Sequence, residues 1–155
     1  MAQVNIGKTH PAAYQAMLEL NSRASEAAAA AGLDAKLIEL VKIRASQLNG
    51  CAFCLKMHVG DAMKHGETWD RLAVVAGWWE SQYFTAEEQA ALTIAERVTL
   101  IGDQAARPDR GVRDDVLTDE QVAAVTWLAI VINSWNRIAI SSGYPVGPTR
   151  RAEPI

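Results

Sequence analysis

The chain lacks much of what would place it in several large classes of protein. Cysteine is almost absent: two residues in 155 are the whole supply. Charge of either sign is modest, with 15 Lys and Arg against 18 Asp and Glu, a net −3. That balance cannot make a strongly basic face, so duplex nucleic acid is not an expected partner. Long apolar runs are missing too. The longest, Val122 to Ile132, is broken by Thr126 and falls well short of the ~20 residues that span a bilayer. Residues 1–10 are mostly polar, without the apolar stretch of a secretion signal. The expectation is a cytoplasmic domain that engages no membrane. Disorder is excluded by an apolar fraction of 50%. No stretch alternates apolar and polar residues over the length of a strand, which removes the sheet signal.

What the chain has in abundance is alanine, 27 residues of it, the best helix former. The expected fold class is therefore all-α, in one domain over residues 1–155. Residues 1–9 read as a loose arm. A first helix opens near His10 with Pro11 at its first position, carries Tyr14, Met17, Leu18 and Leu20 as an apolar stripe, and ends at Gly32 after five alanines. Asp34 caps a second helix bearing Leu37, Ile38, Val41 and Leu48, broken by Asn49-Gly50. A third runs from Cys51 to Lys64 and stops at Gly66. Thr68 caps a fourth, continuing toward Trp78. Thr85-x-x-Glu88 and Thr118-x-x-Gln121 are capping boxes for a fifth helix and for a long apolar one over 119–142. Residues 102–117 read as a long surface loop or the start of a helix. The last helix is apolar on most of its circumference, which places it at the centre of the fold or against another subunit. Residues 144–155, holding Pro145, Pro148 and Pro154, read as a mobile tail or an arm on a partner.

The chemistry gathers at Cys51-Ala52-Phe53-Cys54 and His58. In a chain without a secretion signal, a Cys-x-x-Cys pair points to redox or metal chemistry rather than to a structural disulfide. On a helix, Cys51, Cys54 and His58 share one face. Cys51 falls in the first turn, where free N–H groups and the helix dipole favour a thiolate. Glu39 lies eleven residues before Gly50 and His58 eight after it. In an antiparallel hairpin their depths differ by about one turn at ~1.5 Å per residue. A carboxylate at that height orients an imidazole and raises its basicity. Glu39, His58 and a thiol thus form a candidate proton relay. Two other readings stay open on these residues: ordinary core packing of Cys and His, and a catalytic metal held by the three helix residues with Glu39. A structural zinc has too few ligands, since only His10 and His65 remain, and both read as exposed helix-end residues.

Glu39, eleven residues, Cys51-x-x-Cys54, three residues and His58 resemble the signature of the alkyl hydroperoxidase AhpD core, in the AhpD/carboxymuconolactone decarboxylase superfamily. Trp78-Trp79 with Phe84-Thr85-x-x-Glu88, and Asn133-Ser134-Trp135-Asn136-Arg137 before Gly143, are similar to its single-core members. The likeness covers most of residues 34–145, with the motif region at 34–85. It implies an AhpD-like helical bundle, one core copy per chain, assembled as a homo-oligomer, a trimer or a hexamer. It implies a thiol-dependent peroxidase in which Cys54 attacks a hydroperoxide and becomes a sulfenic acid. Cys51 would donate a proton and then resolve that acid to a Cys51–Cys54 disulfide, with Glu39 and His58 as the relay. A dithiol or lipoylated protein would be the reductant, and no cofactor or metal is called for. Such chemistry asks for an exposed cysteine of low pKa with a resolving neighbour.

There is one departure. The alkyl hydroperoxidase has His directly before the second cysteine, where this chain has Phe53, and Phe moves no proton. Two alternatives stand beside the peroxidase: a disulfide-exchange adapter feeding another peroxidase, and a decarboxylase or lactone-processing enzyme like the superfamily's namesake. That last branch does not rely on a cysteine pair.

Overall fold

Seven α-helices form the bundle in a computed structural model that describes residues 3–106 and 115–148. They are α1 (Ile6–Thr9), α2 (Pro11–Ala30), α3 (Ala35–Asn49), α4 (Ala52–Lys64), α5 (Trp69–Val74), α6 (Ala86–Thr99) and α7 (Asp119–Ser141), and no strand occurs among the described residues. The caps are those expected. Asp34 accepts from the Lys36 amide, Thr68 from Arg71, and the reciprocal pairs Thr85–Glu88 and Thr118–Gln121 open α6 and α7. Each satisfies amides that a helix start leaves without partners.

Two expectations are corrected. Within the arm expected over 1–9, the described residues 3–9 are not loose: Asn5 caps the short α1, and the Ile6 amide donates to Ser142 Oγ at the far end of α7. The fourth helix does not run intact toward Trp78, because α5 passes at Val75 into a 3₁₀ segment, Val75–Glu80, kinked at Gly77. In the expected loop, a 3₁₀ segment occupies Ile101–Ala106, while Pro108 and Gly111 lie outside the described residues, as does the tail from 149 onward.

The central element is α3. It packs against α4, α6 and α7 and supplies all three core clusters: Leu37 and Val41 to one with Val125 and Leu128, Leu40 and Ile43 to a second with Trp78 and Leu92, and Ala45 to a third with Cys51, Cys54, Ile132 and Ala139. Ile38 and Leu48, assigned above to its apolar stripe, are only half-buried. The helix is buried on nearly every side, Glu39, Arg44 and Ser46 included. Arg44 is neutralised by Glu96 at 2.8 Å, whose same oxygen also accepts from the Trp78 indole.

The long helix α7 satisfies the length and composition of a bilayer span. Its inner side nevertheless carries amides that are spoken for inside the bundle. Asn49 Nδ2 donates to Oδ1 of both Asn133 and Asn136, Asn136 donates to Ser46 Oγ, and Asn133 donates to Thr99 Oγ1. This network clamps the end of α3 to the middle of α7 directly below the Gly50 turn. Replacing the fully buried Asn136 with Ala takes the donor from the buried Ser46 hydroxyl and leaves the Asn49 amide with Asn133 alone, at about 2–3 kcal/mol. Thermal unfolding of Asn136→Ala is expected to fall by roughly 5–10 °C for a domain of this size, and an unchanged midpoint rules out the clamp.

Candidate active site

Gly50 makes the turn between α3 and α4 possible. Its φ of +67° lies in the left-handed region, which an L-residue with a side chain adopts only under strain. Cys51 follows as the N-cap of α4, and its sulfur accepts a hydrogen bond from the Cys54 amide at 3.3 Å. The two sulfurs are paired as a disulfide, with Cα atoms 5.4 Å apart, inside the range such a bridge requires.

One turn further along α4, His58 meets Glu39 across the hairpin, Nδ1 to Oε2 at 2.8 Å. The two stand side by side as the depth argument requires. Lys42 was not foreseen. Its ammonium binds the other Glu39 oxygen, Oε1, at 2.7 Å. Burial works to raise the Glu39 carboxyl, but the hydrogen bond from His58 and the adjacent charge of Lys42 outweigh it and hold the group below its ordinary value. Glu39 is therefore an anion bridging a lysine and an imidazole. Asp61, one turn after His58, completes a trio of Glu39, His58 and Asp61 whose ligand atoms lie within 4.8 Å of one another. A cation there would have to displace Lys42 or His58, because both Glu39 oxygens are engaged; the donor set fits a hydrogen-bonded relay better than a metal.

Exposure of the thiols is the expectation that fails. Cys51 and Cys54 are only 1% and 2% exposed, and His58 and Glu39 only 7% and 6%. The N-terminal turn of α4 is tucked between Ala45 of α3 and Ile132 and Ala139 of α7. Access comes from a cavity of about 340 Å³, which Cys54, His58 and Lys42 border together. The rest of its wall is mainly apolar and comes from remote elements: Tyr14 and Leu18 of α2, and Leu128, Val131 and Trp135 of α7. The stripe expected to bury α2 is thus only part-buried, and its Tyr14 and Leu18 form this wall. Four aromatic residues adjoin in sequence around the cavity. Phe53 meets Tyr144 edge-on, Tyr144 faces Tyr14, and Tyr14 meets Trp135 edge-on. Burial, with the Tyr14 hydroxyl beside it, holds the Tyr144 phenol above its ordinary value. Tyr144 is therefore part of the site rather than of a free tail. His10 and His65 are exposed at helix ends and take no part.

Residues 11–97 match the carboxymuconolactone decarboxylase family. The chain belongs to that family. The uncharacterized protein YdfG of Bacillus subtilis (strain 168) is 42% identical to it over 112 residues, 68% of this chain and 72% of that protein. The crystal structure of ATU0492 from Agrobacterium tumefaciens superposes with a TM-score of 0.81 at 32% identity, covering 95% of this chain and all of that one. ATU0492 is described as a protein of unknown function and suggested to be an antioxidant defence protein AhpD. The all-α, AhpD-like fold of this carboxymuconolactone decarboxylase family member agrees with the resemblance read from its sequence.

Lys42 and Asp61 each lie three residues from a recognised site residue on the same helix, so local spacing was the signal that could have found them. Tyr14, Leu18 and Trp135 had no such signal.

The depressed Glu39 carboxyl has a consequence for stability. A carboxyl held lower in the folded state than in the unfolded one stabilises the fold at pH above its unfolded value of ~4.3, and that contribution disappears as pH falls through the folded value. The stability advantage of the parent over Glu39→Gln in urea titrations is thus expected to hold at pH 6–7 and to shrink progressively below about pH 4. A gap that does not change between pH 3 and pH 7 shows that Glu39 is not the buried anion.

Proposed function

We propose that the protein is a thiol-dependent peroxidase of the alkyl hydroperoxidase type, a cytoplasmic enzyme working as a homo-oligomer, trimer or hexamer, without cofactor or metal. The observation that carries this reading is the sharing of one mainly apolar cavity by Cys54, His58 and Lys42, with the buried Glu39 anion directly behind the imidazole. A nucleophilic thiol needs a base, the base needs an orienting anion, and an organic hydroperoxide needs an apolar pocket.

In the reduced enzyme, His58 takes the proton that frees the Cys54 thiolate, and Glu39 balances the imidazolium. The thiolate attacks the terminal peroxide oxygen; the S–O bond forms as the O–O bond breaks. The departing alkoxide is protonated from Cys51 and leaves as the alcohol. The Cys51 thiolate then attacks the sulfenic sulfur, His58 returns its proton to the departing hydroxide as water, and the Cys51–Cys54 disulfide remains. One peroxide and two thiols yield one alcohol, one water and one disulfide. A dithiol or a lipoylated protein restores the thiols. Phe53 supplies no proton in this scheme; it packs on Tyr144, so His58 alone takes the Cys54 proton. Trp127 and Ile130, apolar and exposed on the outer side of α7, support the oligomer.

A second reading, an adapter that exchanges disulfides without meeting peroxide, is favoured by Phe53, which stands where the alkyl hydroperoxidase has a proton-bearing His. A decarboxylase or lactone-processing enzyme has no use for the pair. One experiment separates the peroxidase from the other two. The reduced protein is mixed with about one equivalent of an organic hydroperoxide, quenched with a thiol alkylator and weighed intact over seconds. The peroxidase loses two hydrogens and both alkylation sites, whereas persistent double alkylation defeats the reading. Cys54→Ser is expected to abolish the reaction, and Glu39→Gln to slow it by roughly ten- to a hundredfold; a Glu39→Gln rate equal to the parent's removes Glu39 from the relay.

A further inference from the structure

The two sulfurs open onto different cavities. Cys54 borders the larger one, with His58 and Lys42. Cys51 borders a second, of about 180 Å³, whose other walls include Gly50, Ala52, Ile140, Gly143 and Val146. Phe53, Tyr144 and Ala139 line both and form the partition between them. The second cavity contains none of the relay residues, and exposed Gly50, Ala52 and Val146 form its rim.

We propose that oxidant and reductant reach the pair from separate sides: hydroperoxide meets Cys54 in the larger cavity, and a small dithiol attacks Cys51 through the cleft between the Gly50 turn and Val146. This rests on the reading that the pair cycles between dithiol and disulfide. Thiol–disulfide exchange depends on which sulfur is reachable and on how well the other one leaves. Attack of a reductant thiolate on Cys51 Sγ forms a mixed disulfide and breaks the Cys51–Cys54 bond. Cys54 leaves as a thiolate into the cavity that holds His58 and Lys42, the cation-bearing side of the pair. The second thiol of the reductant then attacks its own sulfur in the mixed disulfide. Cys51 leaves as a thiolate at the N-cap of α4, where the Cys54 amide already points at its sulfur. Two electrons pass from the dithiol, which closes to a cyclic disulfide, and both departing sulfurs leave into settings that stabilise negative charge. Attack at Cys54 would reverse the order and require the reductant to occupy the peroxide's own cavity.

The test measures reduction alone. The disulfide is formed with diamide, so its outcome does not depend on peroxidase activity, and its reduction by dihydrolipoamide is followed by stopped flow. Val146→Trp, which narrows the small cleft at an exposed position, is expected to slow reduction by about tenfold or more. Leu18→Trp, which narrows the larger cavity from the exposed α2 wall, is expected to change it by less than about twofold. The reverse pattern, or no effect of Val146→Trp, overturns the proposal. A direct readout guards against a tryptophan that swings clear. Oxidised parent protein is treated with 2-mercaptoethanol, acid-quenched within milliseconds, alkylated and fragmented by tandem mass spectrometry. The early adduct is expected on Cys51, and an adduct on Cys54 sinks the two-sided scheme. If hydroperoxide fails to oxidise the thiols while reduction still shows this pattern, the peroxidase reading falls and the reductant route stands.

Discussion

A carboxylate on the most enclosed helix of the bundle is the constraint on which the rest of the site depends. Removing an ion from water costs several kcal/mol unless partners replace the solvent, and Glu39 is nearly inaccessible. It has two partners. Lys42 comes from the same helix, one turn on, and His58 from the next helix across the Gly50 turn. Keeping that anion paired therefore requires α3 and α4 to stay in a tight hairpin, and the hairpin in turn sets Cys51 at the N-cap of α4 with Cys54 one turn from His58. Electrostatics and backbone geometry impose the same register.

The opposite end of α3 is held by a second buried polar group, the amides of Asn49, Asn133 and Asn136. Hydrogen bonds between buried amides are directional, so they fix α7 against α3 more narrowly than apolar contact does. That placement matters because α7 supplies one wall of the cavity and the floor beneath the sulfurs, through Ile132 and Ala139. The opposing wall is α2, joined to α7 by the Tyr14–Trp135 ring contact and by the bond from the Trp135 indole to Asn21. The short α1 braces this wall: Gly7 packs so close to the Tyr14 ring that a Cβ there would sit 2.7 Å from it. A mainly apolar chamber bordered on one side by Lys42 and His58, with the Glu39 anion behind them, follows, which lowers the local dielectric around the relay and strengthens the charge–charge interaction within it.

Much of this was legible in the linear chain. Helix starts at Asp34, Thr68, Thr85 and Thr118 are encoded by side chains that cap amides two or three residues away. The pairing of Glu39 with His58 followed from the constant rise of a helix and the single turn between them. Local rules failed where a longer-range contact overrode them. Residues 3–9 fold back because Ser142 of α7 offers an acceptor to Ile6. Tyr14 and Leu18 of α2 line a cavity instead of a core, together with residues of α7 that no spacing within α2 reveals.

By itself, then, the sequence determined the all-helical class, the helix ends and the alignment of Glu39, Cys51, Cys54 and His58, since each depends on fixed spacings within one helix or across one tight turn. Only the tertiary structure decided that the cysteines are buried, that they face two different cavities, and that Tyr14, Leu18, Trp135 and Tyr144 surround them. Those residues come together from positions more than a hundred apart. Their meeting is a property of how whole helices pack, which the period of any one helix does not contain.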